Sequence, residues 1–304
     1  MTSQWVPVAR SVADMTEQTH HAETFARLHR RGDPLLLANA WDAGSAVAIV
    51  RAGARAVATT SAGVAWSLGV PDAAELGAER AAAAVARIAS TVDVPVSADI
   101  EAGYGPGPDA VAATTAAVVK AGAVGVNLED RCDARRLFTP ADQAARLAAA
   151  RTAAADLGVP VWINARTDLY LGGGEHADEA ARLAEALGRA EVYAAAGADS
   201  LFVPGLVDLD AIATLAAGPL PIAVMAWAGA PTVAQFAAAG AVRVSLGSGI
   251  AQAAYALAAR AATELFTSGT YDATADAIPY DVMNDALRPV GPTAPDGMRA
   301  TTLA

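Results

Sequence analysis

The sequence predicts an α/β protein of the (β/α)8-barrel (TIM barrel) class, with an extra N-terminal helix and a C-terminal helical arm. From about residue 35 to residue 268, a short β-branched apolar run alternates with an amphipathic, alanine-rich stretch. Eight such pairs occur, the number that closes a barrel. Several of the runs are continuously apolar, as in parallel sheets that are covered on both faces. A doubly wound open sheet usually needs fewer units, and no Gly-x-Gly-x-x-Gly segment follows the first run.

The repeating units are read from the sequence in order. The predicted strands are Leu35–Asn39, Ala54–Thr60, Val94–Ile100, Val124–Glu129, Val159–Arg166, Ser200–Val203, Ile222–Ala226 and Val242–Leu246. Helices are predicted near residues 44–52, 74–91, 108–121, 140–157, 178–196, 207–217, 231–239 and 248–267. A glycine closes five of these helices just before the next strand, as helix C-caps do: Gly53, Gly122, Gly158, Gly197 and Gly240.

Three segments are expected along the chain. Residues 1–32 form an N-terminal extension with a helix near 16–31, and residues 33–268 form the catalytic barrel. Residues 269–304 are rich in Pro, Asp and Thr. They are interpreted either as an arm that packs on a neighbouring subunit or as a loose tail.

Composition excludes several classes of protein. The net charge of −11 would repel nucleic acid and anionic lipid. No apolar run approaches the roughly 20 residues of a membrane span, and the N-terminal residues lack the apolar core of a secretory signal. The single Cys132 excludes an internal disulfide and agrees with a reducing cytoplasm.

Acidic and amide side chains end two consecutive predicted strands. Asp99 and Glu101 are two residues apart and therefore share one face of their strand, as do Asn127 and Glu129 on the next strand. In a barrel these ends meet at one mouth. Three carboxylates at one mouth repel one another unless a cation or a proton compensates, and a hard divalent ion does so naturally. Helix capping and pairing with arginine are the alternatives.

The following strand ends in Arg166, whose planar fork suits a substrate carboxylate. A plain salt bridge from Arg166 to Glu129 or Asp99 is the other interpretation. Asp130 and Asp168 are expected to cap helices or to pair with arginine.

Two turns could bind an anion through backbone N–H groups. The turn Thr60–Ala62 follows the second strand, and the glycine-rich turn Ser245–Gly249 follows the eighth, where phosphate-binding barrels place their site. Ordinary tight turns explain both equally well. None of the four histidines ends a predicted strand, which disfavours a zinc site or a histidine-based triad.

Together these motifs resemble the isocitrate lyase/phosphoenolpyruvate mutase superfamily. The segments that carry the resemblance span roughly residues 33–268 and stand in the superfamily's order: Asn39–Ser45, Thr59–Ala65, Gly69–Asp72, Asp99–Gly105, Asn127–Asp130 and Asn164–Asp168. The resemblance implies a Mg²⁺ site, for which Mn²⁺ is also suited. Asp99 matches the principal ligand, while Asp72, Glu101 and Glu129 match carboxylates that hold the metal largely through water.

The resemblance also implies a substrate site. Arg166 matches the residue that clamps the substrate carboxylate, and Thr60, Ser61 and Ala62 match the turn that binds the 2-oxo acid end. Trp41 stands where a pocket aromatic is found, although a buried tryptophan is more often core. Asn127 completes the expected substrate-binding set.

Members of the superfamily act on small 2-oxo or 2-hydroxy carboxylic acids through a Mg²⁺-bound enolate and cleave or form C–C or C–P bonds. They are usually tetramers that exchange a C-terminal helix, so a homo-oligomer is expected here, either a tetramer or a dimer with helix exchange.

One departure from the superfamily concerns the loop after the fourth strand. The lyases carry Lys-Arg-Cys-Gly-His there, with the cysteine as acid, whereas this loop is shorter and reads Asp130–Phe138 without the Gly-His pair. Cys132 is therefore either catalytic, beside Arg166 and Glu129, or an incidental thiol. Arginines of the segment Arg131–Arg136 could close over the site or simply face water.

Three functions follow from the sequence: a Mg²⁺-dependent C–C lyase or hydrolase, a C–P bond enzyme such as a phosphonopyruvate hydrolase or mutase relative, or a non-catalytic ligand-binding barrel.

Overall fold

The computed structural model describes residues 12–73, 76–133, 136–172 and 178–288, and it contains a parallel β-barrel. The strands pair in the order β1-β9-β8-β7-β6-β5-β4-β3-β2, all in parallel. They are β1 (Leu35–Leu37), β2 (Asn39–Ala40), β3 (Val57–Thr59), β4 (Val96–Asp99), β5 (Gly125–Glu129), β6 (Trp162–Arg166), β7 (Ser200–Phe202), β8 (Ile222–Met225) and β9 (Ala241–Ser245). Only Ala38 separates β1 from β2, so the two edges of the sheet are halves of one strand. The predicted (β/α)8 class is confirmed.

Eleven α-helices lie among the described residues, and they surround the barrel or extend it at both ends. They are α1 (Val12–Leu28), α2 (Ala43–Arg51), α3 (Ser61–Ser67), α4 (Gly77–Ala89), α5 (Pro108–Lys120), α6 (Pro140–Asp156), α7 (Glu179–Ala195), α8 (Leu209–Ala216), α9 (Val233–Ala238), α10 (Gly249–Ser268) and α11 (Tyr280–Ala286). Short 3-10 turns occupy Asp168–Tyr170 and Asp272–Thr274.

Helix α3 differs from the prediction, which placed a simple turn after the second strand. The Thr60 hydroxyl accepts a hydrogen bond from the backbone N–H of Gly63 at 3.5 Å and caps the helix. The helix has only seven residues, too few for an apolar period to be recognised in the sequence.

Helix α1 is part of the barrel core. Ala22 and Phe25 are fully buried. Gly125 has no side chain on the inner wall, and a Cβ there would lie 2.8 Å from the Phe25 ring. The Gln18 amide donates to the carbonyls of Val119 and Ala123 at 2.8 and 2.9 Å. The amino ends of the strands are thus covered by α1, while the division of the chain at residues 32 and 268 stays a prediction.

The C-terminal arm contains α11, which packs beside α2. Residues 289–304 of the predicted arm lie outside the described residues. No helix in the described part of the chain is both long and apolar enough to cross a membrane.

Candidate active site

The strand register brings the predicted polar residues together at the carboxyl ends of β4, β5 and β6. Asp99 is paired with Asn127 across β4 and β5, and Asn127 with Asn164 across β5 and β6. Glu129 is paired with Arg166 one step nearer the mouth. The period-two spacing in the sequence therefore produces two adjacent layers of polar side chains.

The carboxylate of Asp99 faces the mouth with most of its acceptor capacity unused. Its Oδ2 accepts the backbone N–H of Ser61 at 3.3 Å, and its Oδ1 accepts that of Glu101 at 3.4 Å. Both bonds are long. The backbone N–H of Asp99 donates to the Thr59 hydroxyl at 2.8 Å and fixes the end of the strand. An ionised carboxylate offers about four lone-pair sites, so Asp99 can still bind a cation.

Glu101 occupies a strained and poorly solvated position. Its φ is 48°, in the left-handed region that non-glycine residues seldom adopt. Its Oε1 is buried, and the Tyr104 hydroxyl is a polar neighbour of the carboxylate. Burial raises the pKa of Glu101 to about 7, helped by the charges of Asp99 and Asp72. The pKa of Asp72 is also raised, mainly by burial and then by Asp99.

Arg166 is anchored by two acids. Its Nε and Nη2 donate to the two carboxylate oxygens of Asp168 at 2.6 and 3.0 Å, and its Nη1 lies 2.9 Å from Glu129 Oε2. Burial raises the pKa of Glu129, although Arg166 opposes that shift. The salt bridge between Arg166 and Glu129, which was the alternative interpretation of this arginine, is present, with Asp168 as a second partner.

Asp168 connects this arginine to the loop after β5. Arg131 Nε donates to Asp168 Oδ2 at 2.6 Å, and Arg131 Nη2 donates to the Leu171 carbonyl at 3.1 Å. Asp168 is fully buried. Its backbone N–H donates to Asp130 Oδ1 at 3.0 Å.

Asp130 anchors a separate network behind the mouth. Its Oδ2 accepts from Arg189 Nη1 at 3.1 Å and from the Tyr193 hydroxyl at 2.8 Å. Asp130 and Asp168 therefore have the structural, arginine-paired roles that were expected of them.

A cavity of about 190 Å³ opens at the mouth. It is lined by seven of the predicted site residues: Thr60, Ser61, Ala62, Asp72, Asp99, Asn127 and Arg166. Its remaining wall was not predicted as a site: Asn39, Leu171, Phe202, Pro204, Met225, Ser245, Gly247 and Ser248. Of these, only the turn at 245–249 had been singled out as a candidate anion site.

Four predicted site residues do not line this cavity. Glu129 is paired with Arg166, and Trp41 packs against the apolar cluster that contains Val64 and Leu76. Glu101 and Cys132 instead line a neighbouring cavity of about 570 Å³. Cys132 is exposed there, at the start of a loop that Arg131 holds inward.

The mouth carries more acid than base. Among the described residues, five acids and three arginines interact here. They are Asp72, Asp99, Glu101, Glu129 and Asp168, and Arg131, Arg166 and Arg243. When all are ionised, one divalent cation would balance this excess.

The spacing of the acids favours a cation that keeps part of its water. Three ligand atoms that lie within 4.8 Å of one another could bind one metal ion directly. Among the described residues, the acids of the mouth form no such group. Glu17, His21 and Asp93 do form one, near the amino ends of the strands. Direct binding by Asp99, with the other acids acting through water, fits Mg²⁺, which gives up water reluctantly.

The fold and this acidic mouth define a barrel of the enzyme class whose active site lies at the carboxyl ends of the strands. The chain belongs to the phosphoenolpyruvate phosphomutase family, whose sequence model matches residues 25–266. The resemblance to the isocitrate lyase/phosphoenolpyruvate mutase superfamily is thereby confirmed.

Similar proteins include an uncharacterized protein of Mycobacterium tuberculosis, 39% identical over 228 residues that make up 74% of this chain and 82% of that protein. The 2-methylisocitrate lyase of Salmonella typhimurium is 30% identical over 196 residues, 62% of this chain and 63% of the lyase.

Among solved structures, a Burkholderia cenocepacia protein provisionally named a phosphonomutase is 41% identical, with a TM-score of 0.76 over 83% of this chain and all (100%) of that one. A phosphonopyruvate hydrolase crystallised with oxalate and Mg²⁺ shares the fold, at 23% identity and a TM-score of 0.75 over 88% of this chain and 94% of that one.

Proposed function

We propose that this protein is a divalent-cation-dependent lyase that cleaves a C–C bond in a small 2-oxo or 2-hydroxy di- or tricarboxylic acid. One observation carries the proposal: Asp99 and Arg166 line the same cavity, so a cation ligand and a carboxylate clamp stand side by side. The 30% identity with a 2-methylisocitrate lyase supports C–C chemistry.

Asp99 would hold the cation directly, and Asp72, Glu101 and Glu129 would hold its water. A bound Mg²⁺ or Mn²⁺ would supply a Lewis acid for negative charge that develops on the 2-oxo oxygen of the ligand, as in an enolate. The acids contribute by holding the positive charge of the cation at a fixed point, so that it need not be reorganised during reaction.

Arg166 and the first turn of α3 would orient the substrate. A guanidinium has five N–H donors, so Arg166 can hold Asp168 and Glu129 and still donate to a ligand carboxylate. Thr60, Ser61 and Ala62 line the same cavity as Arg166. Binding the acid between these groups would lower the entropic part of the barrier.

Cys132 has no catalytic role in this proposal. It lines the neighbouring cavity with Glu101 and not the cavity that contains Arg166. This placement favours the incidental thiol over the catalytic acid.

A C–P bond enzyme is the second candidate. Gly247 and Ser248 line the cavity where α10 begins, and the N-terminus of a long helix attracts a phosphono group. The 41% identity with a protein provisionally named a phosphonomutase also favours this chemistry.

A substrate panel tests these alternatives. The protein is incubated with 2-hydroxy and 2-oxo diacids and tricarboxylic acids, and with phosphonopyruvate, in Mg²⁺ or in EDTA, while release of pyruvate, glyoxylate or phosphate is measured. Release of pyruvate or glyoxylate from a carboxylic acid only in Mg²⁺ is expected. Phosphate release from phosphonopyruvate would instead identify the C–P enzyme. No turnover with retained oxalate binding would identify a non-catalytic barrel.

We also propose a homo-oligomer built through the C-terminal helices, as a tetramer or as a dimer with helix exchange. Helix α10 has one buried residue, Ala251, and it exposes Tyr255, Leu257, Leu265 and Phe266. Exposed apolar area of this kind marks an interaction surface. A reducing cytoplasm is the proposed location, because a single cysteine supports no internal disulfide.

A further inference from the structure

A chain of hydrogen bonds crosses the interior of the barrel beneath the cavity. Trp162 Nε1 donates to Ser200 Oγ at 2.8 Å, and Ser200 Oγ donates to Asn164 Oδ1 at 2.5 Å. Asn164 Nδ2 then donates to Asn127 Oδ1 at 2.7 Å. Ser200 and Asn164 are fully buried. Asn127 is the last member of this series of hydrogen bonds, and it lines the cavity.

The first member of this hydrogen-bond chain can only donate. An indole N–H can only donate, so the Ser200 oxygen accepts from Trp162 and its hydrogen is directed to Asn164 Oδ1. Asn164 must then present Nδ2 to its neighbour. With this orientation of both amides, every hydrogen bond of the chain has one donor and one acceptor.

Arg243 imposes the same orientation from the other side. Its Nη2 lies 3.2 Å from Asn127 Oδ1, and a guanidinium also only donates. Arg243 is fully buried, and its Nε and Nη1 have no partner among the described residues, so Asn127 Oδ1 is the sole acceptor found for it. Burial lowers the pKa of Arg243 to about 10, which still leaves it cationic at neutral pH.

A flipped Asn127 amide would set its NH₂ group against two donors, Asn164 Nδ2 and Arg243 Nη2. Both donors are buried, where an unmade hydrogen bond carries its full desolvation cost. The oxygen of Asn127 is therefore held inward, and no described residue accepts from its Nδ2. Asn39, the other amide of the cavity wall, is different because its Nδ2 donates to the Thr59 carbonyl and its Oδ1 accepts from Leu246.

We infer that Asn127 donates a hydrogen bond from Nδ2 to an anionic oxygen of the ligand, and that Arg243 is a positioning residue that enforces this polarity. The inference rests on the proposed function in taking the ligand to be an acid. It adds a requirement for ligand specificity, because the ligand must present a hydrogen-bond acceptor to Asn127. It also means that Asn127 cannot bind a metal through its oxygen, which faces inward.

The orientation is tested without ligand by thermal unfolding of two variants. Asn127→Asp keeps an oxygen opposite Arg243, whereas Asn127→Leu leaves the buried guanidinium without an acceptor. We expect Asn127→Leu to unfold at a clearly lower temperature than Asn127→Asp, even though the aspartate adds charge next to Asp99. An equal or lower unfolding temperature for Asn127→Asp would overturn the inferred orientation.

The donor role is tested by calorimetric titration of oxalate, a small dianion, in the presence of Mg²⁺. Asn127→Asp replaces the donor with a second acceptor, so oxalate affinity should fall roughly ten- to a hundredfold. The affinity for Mg²⁺ alone should not fall. Unchanged oxalate affinity in Asn127→Asp overturns the donor role while the proposed function stands. Wild-type protein that binds no oxalate in Mg²⁺ contradicts the proposed function and the donor role, while the unfolding comparison still decides the orientation.

The positioning role of Arg243 is tested by a conservative pair. Arg243→Lys keeps a buried cation that can only donate, and it should retain most of the oxalate affinity. Arg243→Met frees the Asn127 amide on that side and should weaken oxalate binding without weakening Mg²⁺ binding. Equal oxalate affinities of the two variants would show that Arg243 does not act through Asn127.

Discussion

The carboxylate of Asp168 and the guanidinium of Arg166 form a two-point ion pair, with Nε–Oδ1 at 2.6 Å and Nη2–Oδ2 at 3.0 Å. Asp168 also binds Arg131, so one fully buried acid holds the clamp and the loop after β5 in place. Removing its charge should leave two arginines without their shared partner.

Asp168→Asn is therefore expected to destabilise the fold by about 3–5 kcal/mol, the usual cost of breaking a buried pair from one side. Urea unfolding followed by circular dichroism measures the change. Asp133→Asn is the matched control, because Asp133 pairs with Arg136 at the surface, and it should have little effect. Similar losses in the two variants would contradict the central role of Asp168.

Asp99→Asn should abolish divalent-metal binding, with a loss of affinity of roughly a hundredfold or more, since even an outer-sphere partner is worth 10- to 100-fold. Isothermal titration with Mg²⁺ and Mn²⁺ measures the loss. Asp109→Asn, in the first turn of α5 away from the cavity, provides the control and should bind normally. Wild-type affinity in Asp99→Asn would rule out the proposed metal site.

Arg166→Lys keeps the charge but loses the fork, so it cannot hold Asp168 at two points and also clamp a substrate carboxylate. We expect the KM of the substrate identified by the panel to rise roughly tenfold or more. Arg151→Lys is the control, because Arg151 pairs with Asp199 and lines neither mouth cavity. An unaffected KM would make Arg166 a structural residue only.

The stabilisation that Mg²⁺ provides should increase with pH. The folded-state pKa of Glu101, about 7, lies above its ordinary value of 4.5, so the metal-free fold binds the extra proton and loses stability as pH rises between these values. A cation competes with that proton and is favoured once the proton leaves. Thermal unfolding at pH 6 and pH 8, with and without Mg²⁺, should show the larger metal-induced shift at pH 8.

Glu101→Gln provides the comparison for this pH effect. It cannot titrate, so the difference between the two metal-induced shifts should become smaller. A wild-type shift that is independent of pH would contradict the role of Glu101 in metal binding.

Phe266→Asp should dissociate the proposed oligomer. The Phe266 side chain is 82% exposed on α10, and a charge there would be desolvated in any interface that covers it. Light scattering coupled to size exclusion gives the mass, and Thr267→Asp, one residue further on, is the control. A monomeric wild-type protein would disprove the proposed assembly.

The barrel could be predicted from the sequence because its signal is repeated. Each strand and helix pair shows the same change of period, so an error in one unit does not change the class. Helix α3 was not predicted because a single short element gives no such repetition. The Trp41 side chain packs against the apolar cluster that contains Val64, and its role in the substrate pocket stays a prediction.

The acids of the mouth could be proposed because their side chains are two residues apart on consecutive strands. Arg243 could not be identified in this way, because one arginine inside an apolar strand gives no sign of which side chains it meets. Its contact with Asn127 joins residues 116 positions apart and depends on closure of the barrel. Phe202 and Met225 belong to the cavity for the same reason.

The burial of Phe25 and the stacking of His29 on Trp162 close the lower end of the barrel. A ligand of the cavity therefore reaches it past the loops that follow the strands, and not through the packed end of the barrel.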